Sequence, residues 1–207
     1  MGTPHIGDGL PARGPGDETR ARMLDAALAS LREDGLRGVS ARVIARRGGF
    51  SQALIFYHFG SVRELLIAAL DELGAQGRQR YMQPLEEVSS LPELVRVVGE
   101  MHAENMSERH VTVVAQMLAM VANDPGVREP LREWTAPWLR IVERTLERAL
   151  RGTLDADVAA IHDLALATTS LLIGLELMVG LEDQPGRARQ RVFESLERLM
   201  GLGLGSR

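Results

Sequence analysis

The chain of 207 residues contains no cysteine. Disulfides, thiolate nucleophiles and Cys-ligated zinc are therefore excluded, which suits a reducing, cytoplasmic location. It contains no lysine either, so all 24 basic residues are arginine, a bias that reads as coding preference rather than chemistry. Aromatic residues amount to 4 %, and long stretches lack the β-branched and aromatic alternation that strands need. What remains, rich in Ala, Leu, Arg and Glu, predicts an all-α protein. Residues 1–16 are rich in Gly and Pro and lack the apolar core of a signal peptide; they read as a disordered arm.

The net charge of −4 argues, taken as a whole, against a nucleic-acid partner. Its distribution says otherwise. Residues 1–64 hold nine Arg against seven acids, whereas the remainder carries a net charge of −6. A mildly basic head on an acidic body is compatible with DNA binding through one end.

Apolar spacing predicts about nine helices, divided three plus six. The first runs from Asp17 or Thr19 to Asp34, with Leu24, Ala27, Leu28 and Leu31 as its stripe and Gly35 as its stop. Ser40 is placed to cap a second short helix carrying Val43, Ile44 and Ala45, ended by Gly48-Gly49. Ser51 is placed to cap a third, Gln52 to His58, and Ser61 with Glu64 has the spacing of a capping box for a fourth, Val62 to Tyr81. Pro84 and Ser89-Ser90-Leu91-Pro92 mark the next break. Helices follow at about Leu94–Met106, His110–Ala122, Val127–Leu150, Asp155–Gly180 and Arg187–Met200. Asn123-Asp124-Pro125-Gly126 is a turn, and Pro137 is expected to kink or split its helix.

The segment Leu164–Leu181 is mostly apolar, yet Thr168, Thr169, Ser170, Gly174 and Glu176 interrupt it. A bilayer span needs about 20 strongly apolar residues. A helix apolar all round is better placed between its own core and a partner subunit, so a homodimer is expected and a membrane is not. Glu176 needs a partner in such surroundings; it either pairs with an Arg across the dimer or faces a cavity.

The three short helices of residues 17–61 form a helix-turn-helix. The second helix of such a pair has to be held by an apolar face while it exposes small or hydrogen-bonding residues. In Gln52-Ala-Leu-Ile-Phe-Tyr-His58, Ile55 and Phe59 lie on one side, toward Val43 and Ile44, while Gln52, Ala53 and Phe56 fall on the other. Gln can contact adenine bidentately in a major groove.

The run from Thr19 through Ala26-Ala27, Gly35, Val39-Ser40, Ile44-Ala45, Gly49-Phe50-Ser51, Ile55-Phe56-Tyr57-His58-Phe59 and Ser61 to Leu65-Leu66 resembles the DNA-binding domain of the TetR family of transcriptional regulators. The resemblance implies a repressor that leaves a palindromic, double-stranded operator when a partly apolar small-molecule effector binds. It implies that Ser40 and Arg42 approach phosphate or a base edge, and that Ser51, Gln52 and Ala53 open the recognition helix. Phe56, Tyr57 and His58 then line the DNA side, Ser61 offers its N–H to phosphate, and Arg63 compensates for Val62 where the family usually has Lys. Leu54, Phe56 and Gly48 also depart from the usual residues. Tyr57 and Phe59 admit a plainer reading as core aromatics, and Arg46 and Arg47 as a solvated face.

In residues 62–207 the resemblance implies a ligand-binding and dimerisation domain. Met101, His102, Met106, Met117, Met120, Trp134 and Trp138 fall on the helices expected to enclose the ligand; core packing is the alternative for each. His102 and His110 stand eight apart without a Glu at metal-ligand spacing, and no phosphate-binding Gly loop or Ser elbow occurs. No catalytic residue, metal or cofactor is therefore expected. A helical scaffold without DNA, and a helical-bundle enzyme, are the rival readings.

Overall fold

A computed structural model of the protein describes residues 15–108, 110–122, 124–151 and 158–204. Among them are nine α-helices, one 3-10 turn and no strand. The chain divides into two compact units, residues 1–69 and 70–207. The first comprises α1 (Pro15–Gly38), α2 (Ala41–Gly48), α3 (Gln52–Phe59) and the opening turns of α4 (Val62–Glu87). Leu65, Leu66 and Ala69 are buried there, so the division falls inside α4 rather than ahead of it.

α1 begins earlier than its apolar stripe suggests. Pro15 and Gly16 open it, and the expected arm otherwise lies outside the described residues. Proline fits a first helical position because its fixed φ suits the helix and its missing N–H would have had no partner. Met23, Leu24, Ala27, Leu28 and Leu31 are buried on one face. Helical geometry breaks at Gly35 (φ 66°, ψ 172°), and one further turn ends at Gly38.

The second unit holds the rest of α4, α5 (Leu91–Glu108), α6 (His110–Met120), a 3-10 turn (Pro125–Val127), α7 (Arg128–Ala149), α8 (Val158–Val179) and α9 (Pro185–Leu204). Two prolines, Pro84 and Pro92, act differently from expectation. Pro84 does not end α4, which continues to Glu87. The lost backbone hydrogen bond is outweighed because Tyr81, Leu85 and Val88 are buried with Val97, Met101 and Ala149. Carbonyls at the end of α4 and just past it also receive donors from α7: Arg148 Nη2 donates to Leu85 O at 2.7 Å, and Arg148 Nε to Val88 O at 3.4 Å. Pro92 sits in the first turn of α5, which starts three residues ahead of the expected Leu94. Ser90 Oγ accepts from Glu93 N and Glu93 Oε2 from Ser89 N, a reciprocal cap. Pro137 does not split α7.

Asp155, the expected start of α8, lies outside the described residues. α8 and α9 are tied by a bidentate ion pair: Arg189 Nε to Glu176 Oε1 and Nη2 to Oε2, both 2.6 Å. The side chains are 6 % and 7 % exposed. Glu176 therefore finds its arginine within its own chain, thirteen residues on.

A buried pair is costly to break on one side because the remaining charge stays desolvated. Glu176→Leu should lower stability by about 3–5 kcal/mol in urea unfolding. The double variant Glu176→Leu/Arg189→Met should recover most of that loss; equal loss in both would show that the pair's packing, not its charge, matters.

Candidate nucleic-acid interface and ligand cavity

An isolated helix of eight residues is unstable in water, so α3 exists because its neighbours hold it. Ile55 is fully buried, together with Ile44 and Ala45 of α2. The turn between the two helices closes at Gly49, whose left-handed backbone (φ 68°, ψ 38°) a side chain would strain. Ser40 caps α2 as expected, accepting from Val43 N at 3.3 Å. Ser51 occupies the cap position of α3 but makes no side-chain cap bond, because Leu54 N is already taken by the Ser51 carbonyl at 3.2 Å. Its hydroxyl is left on the exposed side. Ser61 Oγ accepts from Glu64 N at 3.1 Å, while Glu64 turns its carboxylate to Arg63 at 3.5 Å.

The face of α3 opposite Ile55 is open. Ser51, Gln52, Ala53, Phe56, Tyr57 and His58 are all exposed, and Tyr57 at 82 % is no core aromatic. Its ring meets His58 edge-on at 5.1 Å. Phe59 is half-buried beneath the Arg20 guanidinium, 5.3 Å from the ring centre. Arg42 and Arg46 are exposed on α2. Arg47 instead bonds Glu33 at 2.5 Å and Asp34 at 2.9 Å, tying α2 to the end of α1. These two carboxylates raise its pKa.

The second unit contains a cavity of about 380 Å³, within the range of small-molecule sites. α4 lines it with Leu73, Gly74, Gly77, Arg78, Tyr81 and Leu85; α5 adds Leu94, Val98, Met101 and His102. α6 supplies Val111, Val114 and Leu118, α7 Trp134, Thr135, Trp138, Leu139, Val142 and Thr145, and α8 Leu166, Thr169, Ser170, Leu172 and Ile173. Of the residues expected from sequence, Met101, His102, Trp134 and Trp138 are in this wall. Met117 is not: it is fully buried in the core. Met120 is half-buried outside the lining, and Glu176 faces Arg189. The side chain of Met106 lies outside the described residues. Arg78, Tyr81, Thr169 and Ser170 were missed. The available signal was Gly74 with Gly77, two small residues on the inner stripe of α4 that leave room opposite the tryptophans.

His102 joins the cavity wall to the ion pair behind it. Its Nδ1–H donates to Val98 O at 3.2 Å, and Nε2 stands 3.8 Å from Glu176 Oε1 without a hydrogen bond. Burial lowers its pKa below the ordinary imidazole value; the Glu176 carboxylate and the Val98 carbonyl oppose this, and Arg189 adds to it.

An exposed short helix on an apolar clamp, following a capped helix and a glycine turn, is a helix-turn-helix, the unit that DNA-binding proteins place in a major groove. Residues 23–69 match the family model of the bacterial regulatory proteins, tetR family. An uncharacterized HTH-type transcriptional regulator of Mycobacterium tuberculosis is 22 % identical over 85 % of this chain and 90 % of its own. A solved structure described as a TetR-family regulator from Rhodococcus sp. superposes with a TM-score of 0.69 at 22 % identity, covering 88 % of this chain and 98 % of that one. A regulator structure from Saccharomonospora viridis, in complex with choline, gives 0.70 at 21 % identity, covering 87 % and 96 %.

Two outcomes test these placements. Ile55→Ala should destabilise the first unit by about 2–5 kcal/mol, since it deletes fully buried volume; a change below 1 kcal/mol in denaturant unfolding would mean that α3 is held elsewhere. His102 resists protonation when folded, so the unfolded chain takes up the proton first as pH falls below 6.5. Stability relative to His102→Gln should therefore be full above that pH and fall below it; parallel curves from pH 7.5 to 5 would refute the buried neutral imidazole.

Proposed function

We propose that the protein is a cytoplasmic, homodimeric repressor that a small molecule releases from a near-palindromic operator. The observation that carries this reading is the presence, in one chain, of an open recognition face on α3 and a cavity large enough for an effector. In this reading Gln52 and Ala53 meet base edges and Phe56 packs against them. Ser40, Arg42, Ser51, Tyr57, His58, Ser61 and Arg63 engage the sugar-phosphate backbone. The cavity residues Met101, His102, Trp134 and Trp138 hold the effector, and binding there biases one of two arrangements of the DNA-binding heads.

Dimerisation is supported by α8 and α9. Leu164, Leu171 and Met178 recur every seven residues along α8 and are exposed, the last two at 67 % and 64 %. Leu177, Leu181 and Leu199 extend the apolar surface. Ala160–Val179 is also long and apolar enough to cross a membrane. Its Thr and Ser residues and the buried Glu176–Arg189 pair favour a subunit partner, because that helix then has protein on both faces. Two subunits joined there would present recognition helices to successive major grooves, about 34–36 Å apart.

Selection of bound duplex from a random pool should yield an inverted repeat, with affinity falling steeply as salt rises. Recovery of no preferred sequence at low salt would end the proposal. Gln52→Ala should relax preference at one position of each half-site by about 1–3 kcal/mol; unchanged specificity would remove Gln52 as a reader. Leu171→Glu should give a monomer by light scattering and abolish binding to the full repeat, whereas an intact dimer would move the interface away from α8.

A further inference from the structure

The cavity wall is uneven in charge. Arg78 is the one formally charged residue among the described residues that line it. Asp71, two turns earlier on α4, feels the Arg78 charge but is not part of the wall. The position of the guanidinium is set by a close approach. A Cβ on Gly74 would stand 3.1 Å from Arg78 Nη1 and 2.5 Å from Trp134 Nε1, so the glycine lets both side chains converge on the same point. The Trp134 N–H is committed elsewhere, donating to Leu70 O at 2.8 Å. Arg78 is thus the cation of that corner, beside an indole whose own donor is already used.

From this we infer that the effector is an amphipathic anion, with an apolar body among Leu94, Val98, Val114 and Trp138 and its carboxylate or similar group at Arg78. The inference rests on the cavity being the effector site. A guanidinium offers fixed paired donors to a planar anion. Cationic ligands find aromatic faces in the same wall, yet they would enter beside the Arg78 guanidinium.

The chain has two tryptophans, and both line the cavity. Their emission therefore reports occupancy directly. The full chain is titrated with dodecanoate, dodecan-1-ol and dodecyltrimethylammonium, each below its micelle-forming concentration. Dodecanoate should saturate the emission change and bind about tenfold or more tighter than dodecan-1-ol, the effect expected of one charge-assisted contact. Arg78→Met should remove that advantage while dodecan-1-ol still binds, which also shows that the cavity is intact. Equal or tighter binding of the alcohol or the ammonium compound, or an advantage that survives in Arg78→Met, overturns the anion while leaving the effector cavity in place. No emission change with any of the three overturns both.

Discussion

Ile55 is the residue on which the DNA-binding end depends. Eight residues cannot sustain a helix on their own hydrogen bonds, because nucleation consumes most of what propagation returns. α3 is a helix because Ile55 is sunk with Ile44 and Ala45. That single buried contact point has a second consequence. Since the clamp uses one narrow side, Gln52, Ala53, Phe56, Tyr57 and His58 are released from packing and can be chosen for what they meet outside. Tyr57 illustrates the point: a large aromatic ring left in solvent is tolerable only where the rest of the helix already has its core.

In the larger half the same logic runs through charge. Glu176 and Arg189 are buried together, and each is affordable to the fold only because of the other. Their pairing fixes α8 against α9 in one register, since a bidentate contact between a planar carboxylate and a guanidinium tolerates little sliding. His102 stands between this pair and the cavity, with its protonated nitrogen turned to Val98 and its bare one toward Glu176. Whatever displaces the imidazole from the cavity side therefore meets the pair that aligns the two helices carrying the exposed apolar surface. This is a contiguous physical connection, and it joins an apolar space to an outer helical face through three side chains.

Much of this could be read from the sequence wherever the cause was local. Ser40, Gly35, Gly49 and Ser61 act on residues within four positions, so spacing alone located them. The open and closed sides of α3 followed from helical periodicity in the same way. Causes that act across the fold were illegible. Pro84 ought to end a helix, and fails to because Arg148, sixty residues away, supplies donors to the carbonyls that follow it. Met101 and Met117 are indistinguishable in composition and both lie on inner faces, yet one borders the cavity and the other is sealed in the core. Glu176 was legible as a residue in need of a partner, but not as one whose partner stood thirteen residues on, across a helical turnaround. Arg78 was passed over because an arginine on a long helix usually reaches water, and only the two nearby glycines betray the space beside it.

The use of arginine in the head bears on how binding to a polyanion is restrained. Arg47 is engaged by two carboxylates, and Arg63 lies beside Glu64. Arg20 lies over Phe59. Cations held this way stabilise the unit and contribute less to a phosphate backbone than their number suggests, because an existing contact has to be weakened first. In the proposed operator complex the salt-dependent attraction then falls more heavily on Arg42 and Arg46, exposed on α2. In that proposal base discrimination comes from the side chains along the exposed edge of α3, while the phosphate contacts set register and orientation.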